Sequence, residues 1–440
     1  MTVVIIELND GEIRVADDHE IILRSPGFAV GHNENIEVGT AAARQARLNP
    51  LAVYDRYWSN LNQDPLQNPS AYARHHADLA YAHLLALHEQ SGEPDEVLFA
   101  VPGTFSNDQL ALLLGLVEAS PFNRAVGLVD ISVATAASVA ASGYQVHVDL
   151  HLHRLLITHL TVDEQVTRGE VQVVDGVGLS EMFDLTASAI ADLFIRQTRF
   201  DPQHHAETEQ LLYDQIPQCL QTLLEGSDAT VEIPYQGIQY DTKVAVDSVR
   251  TALAPLYKRI VEALPTSDTK LVSDRLANFP GLIGLISGAQ LVPADSVFEG
   301  CRSQLQKIHS QGPTLDFVTS LPASGQSAAM EAPSAGRSKP LETLLAVASL
   351  PTHIMRDNRA YAINDRPLYL SSTDGTSRTK TAQSRCFVCK NSDEVIVQPE
   401  GDISVLLNGL AVKNRAAVHG GDVIDLVGTD AEYLLINVCD

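Results

Sequence analysis

Two regimes of hydrophobic patterning divide this chain. Over roughly residues 1 to 310, short apolar runs alternate with stretches of helical spacing. Val3 to Leu8 reads as a strand, Asn9-Asp10-Gly11 as a turn, and Glu12 to Val15 as the returning strand. Leu79, Leu84, Leu85 and Leu87 predict a helix within 70–91, and Val97 to Val101 is a buried strand closed by Pro102-Gly103. Ser106-Asn107-Asp108 predicts the cap of a helix running to about Ala119. A strand from Ala125 to Ile131 and a small-residue helix from Ala134 to Ala141 follow. Helices are expected at 178–198, 206–224 and 247–264, with a hairpin at 229–243. Leu282 to Ile286 reads as an apolar strand ending in Ser287-Gly288-Ala289, with a helix starting at Pro293. This alternation signals α/β layering around a partly parallel sheet.

The second regime begins near Ser320. Residues 320–340 are rich in Ser, Ala, Gly and Pro, the composition of a flexible linker. A short helical piece is expected at Leu341 to Ser349. Seven strand-length apolar segments separated by turns then occupy 360–438. They predict a separate all-β module the size of a small sandwich. No internal repeat is visible in the sequence.

Composition narrows the functional classes. With 440 residues, 45% of them hydrophobic, the chain can build two or three cored domains. Its 30 basic and 55 acidic residues give a net charge of −25. That balance argues against nucleic acid or an anionic membrane as partner, and a basic protein partner fits better, beside the plainer reading of solubility. Five scattered cysteines make no disulfide framework and point to a reducing compartment. The chain opens directly into a strand, and no apolar run is long enough to span a bilayer. A soluble cytoplasmic protein without membrane insertion is expected.

Several segments, taken in order, resemble one superfamily. Val101-Pro102-Gly103-Thr104-Phe105-Ser106-Asn107-Asp108-Gln109 resembles a V-P-A-x-F-x-D-x-Q segment before a helix, and Thr135-Ala136-Ala137 a T-A-A helix start. Val148-Asp149-Leu150 resembles an F-D-L strand end before a phosphate loop. Thr222-Leu223 through Ala229 to Ile233 resembles a helix-to-hairpin passage, and Leu285 to Pro293 an adenosine motif, V-G-G-x-S-R-I-P. Together they resemble the nucleotide-binding domain of the heat shock protein 70 (DnaK-type) chaperones, within the actin-like ATPases. The resemblance implies an α/β actin-like fold, two-lobed and ribonuclease-H-like, over residues 1–315.

The chemistry implied by that resemblance is degraded. The family's first phosphate loop, D-L-G-T-T, is here Glu7-Leu8-Asn9-Asp10-Gly11, and Asp10 sets a charge where a hydroxyl would meet phosphate. Val133 stands where the family carries a catalytic Glu. The second loop, D-L-G-G-G-T, becomes Asp149-Leu150-His151-Leu152-His153-Arg154, and backbone N–H groups grip an anion only where nothing bulky intervenes. The adenosine clamp becomes Pro217-Gln218-Cys219-Leu220-Gln221, and the adenosine motif keeps Gly288 but not its Ser-Arg pair. Phosphoryl transfer depends on positioning and electrostatics, so these losses point to a pseudo-ATPase. The vestigial cleft would comprise Glu7, Asn9, Asp10, Gly11, Asp149, His151 and Gly288, with no resident cofactor expected; ATP with magnesium is the alternative.

Two further constellations carry chemistry. His147, Asp149, His151 and His153 share one face if their strand stays straight, which would suit zinc or iron; a hairpin at 151–153 would disperse them. Ser384-Arg385-Cys386, Asn408-Gly409 and Gly420-Gly421-Asp422 resemble the forkhead-associated (FHA) fold over the last part of the chain. Ser384, Arg385 and Asn408 would then be partner-binding, although the arginine that family uses for phosphothreonine is not found, so general protein docking is expected ahead of phosphopeptide binding. The expected organisation is an actin-like domain at 1–315, a flexible linker at 316–342 and an FHA-like sandwich at 343–440. The expected role is a non-catalytic interaction scaffold docking protein partners, with an ATP-binding chaperone-like switch as the alternative.

Overall fold

The computed structural model describes residues 3–31, 35–69, 72–139, 141–266, 269–310 and 315–323. Toward the C-terminus it describes 351–356, 359–364, 366–371, 375–381, 384–391, 394–400, 405–407, 410–412, 415–418, 423–426 and 432–436. The chain is mixed α/β and divides into two compact units, 1–331 and 332–440. The helix expected at 341–349 lies outside the described residues.

The first unit holds two six-stranded sheets. In one, Val3–Glu7, Ile13–Ala16 and Ile21–Ser25 form an antiparallel meander. Glu96–Val101, Arg124–Asp130 and Phe317–Val318 then extend it in parallel beyond Val3–Glu7. In the other, Gly143–Leu150, Arg154–Val162 and Gln165–Asp175 form the meander. Thr269–Ser273 and Ala289–Val292 extend that one in parallel beyond Gly143–Leu150. The sequence shows no repeat, yet the strand plan occurs twice. Residues 97–101, Val-Leu-Phe-Ala-Val, are all buried, as a strand covered on both faces requires.

Each sheet has its own apolar core, and a third joins them. Leu79, Leu84, Phe99 and Leu113 belong to the first, and Met182, Ile190, Leu220 and Leu253 to the second. The joining core gathers Leu98, Val129 and Leu271 from both sheets around helices Ile131–Val139 and Ser296–Ser303. These helices cross so closely that a Cβ on Gly300 would lie 1.8 Å from Ala134 O. Helix Asn107–Glu118 starts as the sequence predicts, with Ser106 Oγ accepting from Gln109 N–H and Gln109 reaching back to Ser106 N–H.

Two expectations are corrected. The apolar residues 282–286 form no strand: Ile283–Leu285 is a single 3₁₀ turn, and the strand lies earlier, at Thr269–Ser273. Leu282 and Ile286 pack into the second core instead. The segment expected to begin a linker at 316 instead adds strands to both sheets, Phe317–Val318 to the first and Ser320–Pro322, antiparallel to Gln165–Asp175, to the second.

The second unit is a sandwich of two antiparallel sheets. The strand order is 359–362, 353–356, 432–436, 423–426, 405–407, 410–412 in one, and 375–377, 368–371, 384–391, 394–399, 416–418 in the other. Ile354, Leu370, Val388, Val397, Ile424 and Leu435 fill its core. Tyr433 OH donates to Ser371 O at 2.6 Å, tying one sheet to the other, and Arg356 donates to both partners.

Because Ala134 O has no room to retreat from an added methyl, Gly300→Ala should lower stability by about 3 kcal/mol. The check is the urea unfolding midpoint of the variant beside the parent.

Candidate functional site

Three strand ends converge within the first unit. Val3–Glu7 ends on Glu7, Gly143–Leu150 carries Asp149 at its end, and Thr269–Ser273 runs into the short helix Asp274–Ala277, which carries Arg275. Arg275 is 6% exposed. Its Nη1 and Nη2 donate to Glu7 Oε1 and Oε2, each at 2.9 Å. Nη1 also lies 3.4 Å from Asp149 Oδ1, and Nη2 donates to Glu12 O at 3.0 Å. Arg14 forms a second fork alongside, donating to both Asp274 oxygens at 3.0 and 2.7 Å and to Glu12 Oε1 at 2.6 Å. Such paired donors match carboxylate geometry.

The charges hold one another in place. Burial opposes the Arg275 cation, but Glu7 and Asp149 outweigh it and raise its pKa above the ordinary arginine value. Burial likewise opposes the Asp149 anion, yet Arg275, His151 and His147 bring its carboxyl well below the usual range. Glu7 and Asp149 are the acids that could have held a divalent cation, and a guanidinium lies between them instead. The cavity left beside them measures only about 10 Å³, the room of about one water.

The two turns beside these acids close on each other. Asn9 Nδ2 donates to Asp149 Oδ2 at 2.8 Å and to Leu150 O at 3.1 Å, while Asn9 Oδ1 accepts Gly11 N–H at 2.8 Å. Asp10 Oδ1 accepts Leu152 N–H at 3.0 Å and lies 3.2 Å from His151 Nδ1. Burial works against the Asp10 charge, but these contacts lower its pKa. The Asp10 carboxylate thus already occupies the Leu152 N–H. Helix Leu179–Thr198 adds to the closure, because Leu179 N–H and Ser180 N–H donate to His151 O and Leu152 O. Its first donors are therefore turned to the loop rather than to a ligand. His151 and Leu152 are each 1% exposed.

The histidines disperse. Strand Gly143–Leu150 ends in a tight hairpin, and Arg154–Val162 returns antiparallel. His147 Nδ1 lies 3.0 Å from Ser132 Oγ, and burial lowers its pKa. His151 faces Asp10 and Asp149. His153 Nε2 stands 3.1 Å from Asp55 Oδ2, and its Nδ1 3.4 Å from Glu181 Oε1. The expected metal face of His147, Asp149, His151 and His153 is thereby corrected: among the described residues no group of three His, Cys, Asp or Glu side chains is placed to hold a metal.

Gly288 forms a left-handed turn at φ 71° ahead of Ala289–Val292, and its carbonyl accepts Lys270 N–H at 3.0 Å. The strand-to-helix turn at the site is Ser273-Asp274-Arg275. Sequence reasoning missed it, although Leu271-Val272 before a Ser-Asp pair is a strand running into a helix cap. In the second unit, Ser384 is buried, and its Oγ accepts Thr381 N–H at 2.9 Å. Arg385 is half-buried, and Asn408 lies outside the described residues.

Beside the closed turns a pocket of about 490 Å³ opens, lined among others by Gly11, Leu152, Phe183, Tyr213, Pro217 and Arg275. Pro217, expected at the adenosine clamp, does line a cavity. Compared with known proteins, the chain matches no family model and no curated protein.

Removing the guanidinium leaves two buried carboxylates without their cation, so Arg275→Met should cost about 3–5 kcal/mol of stability. Urea denaturation followed by circular dichroism measures it, and an unchanged midpoint would contradict the clamp. A second expectation concerns pH. Burial disfavours the His153 cation, but Asp55 and Glu181 outweigh it and raise its pKa to about 9 from an ordinary value of 6.5. The folded chain then keeps a proton that the unfolded chain releases. This stabilisation is complete below pH 6.5 and fades as pH rises through 9, a loss of about 2 kcal/mol allowing for solvent screening of the partly exposed acids. Unfolding midpoints across that range should decline in the parent and stay flatter in His153→Gln.

Proposed function

We propose that this protein is a non-catalytic interaction scaffold. Its first unit is read as a degenerate two-lobed actin-like fold of the heat-shock-chaperone kind, and its second as an FHA-like docking module. The observation that carries this is the Arg275 guanidinium lodged between Glu7 and Asp149. An internal cation on those acids leaves no place for magnesium, and without it a triphosphate would meet Glu7, Asp10 and Asp149 unscreened. The doubled strand plan and the two convergent loops support the fold reading.

Partner chemistry follows from charge. Residues 1–331 hold 19 Lys and Arg against 42 Asp and Glu, a net −23, so nearly all of the excess lies in the first unit. A basic protein surface is the partner this field would attract. Among the described residues no helix is long and apolar enough to cross a membrane. For the second unit, protein docking is the reading that fits a Ser384 hydroxyl already engaged with Thr381. The competing reading, an ATP-binding switch, draws on the pocket beside the closed turns.

Calorimetric titration with ATP and magnesium, with melting temperature in parallel, separates the two readings. The scaffold predicts no heat and no shift at millimolar nucleotide. A micromolar site would raise the melting temperature by mass action and overturn it.

A further inference from the structure

The pocket beside the closed turns has a chemistry of its own. Five arginines line it, Arg14, Arg24, Arg44, Arg47 and Arg275, against only two acids, Glu12 and Asp214. Cations are thus gathered here in a unit whose acids outnumber its bases more than twofold. Apolar walls face them, with three aromatic rings, Phe28, Phe183 and Tyr213, among aliphatic side chains such as Leu152 and Leu179. A volume of about 490 Å³ falls within the range of small-molecule sites.

The arginines are not equivalent. Arg14 and Arg275, at the floor, are engaged by Glu7, Glu12, Asp149 and Asp274. Beneath the floor the acids therefore outnumber the guanidiniums, and a second negative charge reaching down would be repelled. Arg24 is held by Glu12 at 2.6 Å. Arg47 pairs with Asp184 at 2.7 Å and lies 3.7 Å over the Tyr213 ring, which fixes it as a flat wall. Arg44 is exposed and has no side-chain partner among the described residues. One cation at the rim is thus free, above an apolar slot.

We propose that this pocket binds a small organic monoanion, a flat apolar body in the slot with its single acidic group on Arg44. The proposal rests on the scaffold reading only in taking the floor as closed to phosphates. Guanidinium recognition of one carboxylate or sulfonate supplies orientation, and ring burial supplies most of the affinity.

The test uses the full chain and the dye anilinonaphthalene sulfonate, with neutral anilinonaphthalene as its uncharged counterpart. Fluorescence titration should show one saturable site per chain, with the neutral compound binding about tenfold more weakly for want of the charge-assisted contact. Arg44→Glu, at an exposed position, should weaken the dye by about tenfold or more. Ala46→Trp, from a half-buried lining position, should fill the slot and abolish the site. Several weak sites indifferent to both substitutions, or equal affinity for the neutral compound, would overturn the proposal. Displacement of the dye by ATP with magnesium would leave this site standing and refute the closed floor on which the scaffold reading depends.

Discussion

A guanidinium enclosed by carboxylates is the constraint around which the first unit is arranged. Neither partner tolerates burial alone, because a desolvated charge is far more expensive than any single apolar contact returns. Glu7 ends a strand of one sheet, Asp149 lies at a strand end of the other, and Arg275 sits on the short helix that follows that sheet's strand Thr269–Ser273, so the ion cluster fixes the two sheets at the level of their strand ends. Arg14 and Asp274 repeat the arrangement one step outward. Once these pairs are set, the turns 9–11 and 151–153 have little freedom. Asn9 and Asp10 must face Asp149, Leu150, His151 and Leu152, and they do so through direct hydrogen bonds. In this way the protein holds itself closed by its own charges.

Much of the local structure was legible from side-chain pattern. The turn at Asn9-Asp10-Gly11, the capped helix after Ser106, the hairpin at 229–244 and the amphipathic helix after Val246 all follow rules that act within a few residues. The acids Glu7 and Asp149 and the bulky loop at His151 drew notice instead through the resemblance of their segments to phosphate loops. What escaped was non-local. Arg275 lies 268 residues from Glu7 and 126 from Asp149, and no spacing rule connects them. Thr269–Ser273 escaped because it holds only Leu271 and Val272 as apolar residues and buries Lys270, whereas Leu282 to Ile286 is more apolar but serves as a plug beneath helices. Apolarity there marked burial at Leu282 and Ile286, left Leu285 54% exposed, and misjudged the shape.

The histidines show how one turn decides a chemical outcome. On a straight strand they would have shared a face. The hairpin at 151–153 sends His147 toward Ser132, His151 to Asp10 and His153 to Asp55 and Glu181. Three imidazoles thus enter three electrostatic settings within seven residues. Burial lowers the pKa of His147, while two carboxylates raise that of His153.

The seam at residues 317–322 has a mechanical meaning. Phe317–Val318 belongs to one sheet and Ser320–Pro322 to the other, and the chain leaves toward the second unit directly afterwards. Tension along that tether would therefore be borne first by two very short strands, one in each sheet. Such strands yield before long ones, so a pull on the C-terminal module would strain the joint between the sheets before the ion cluster of Glu7, Asp149 and Arg275 gave way.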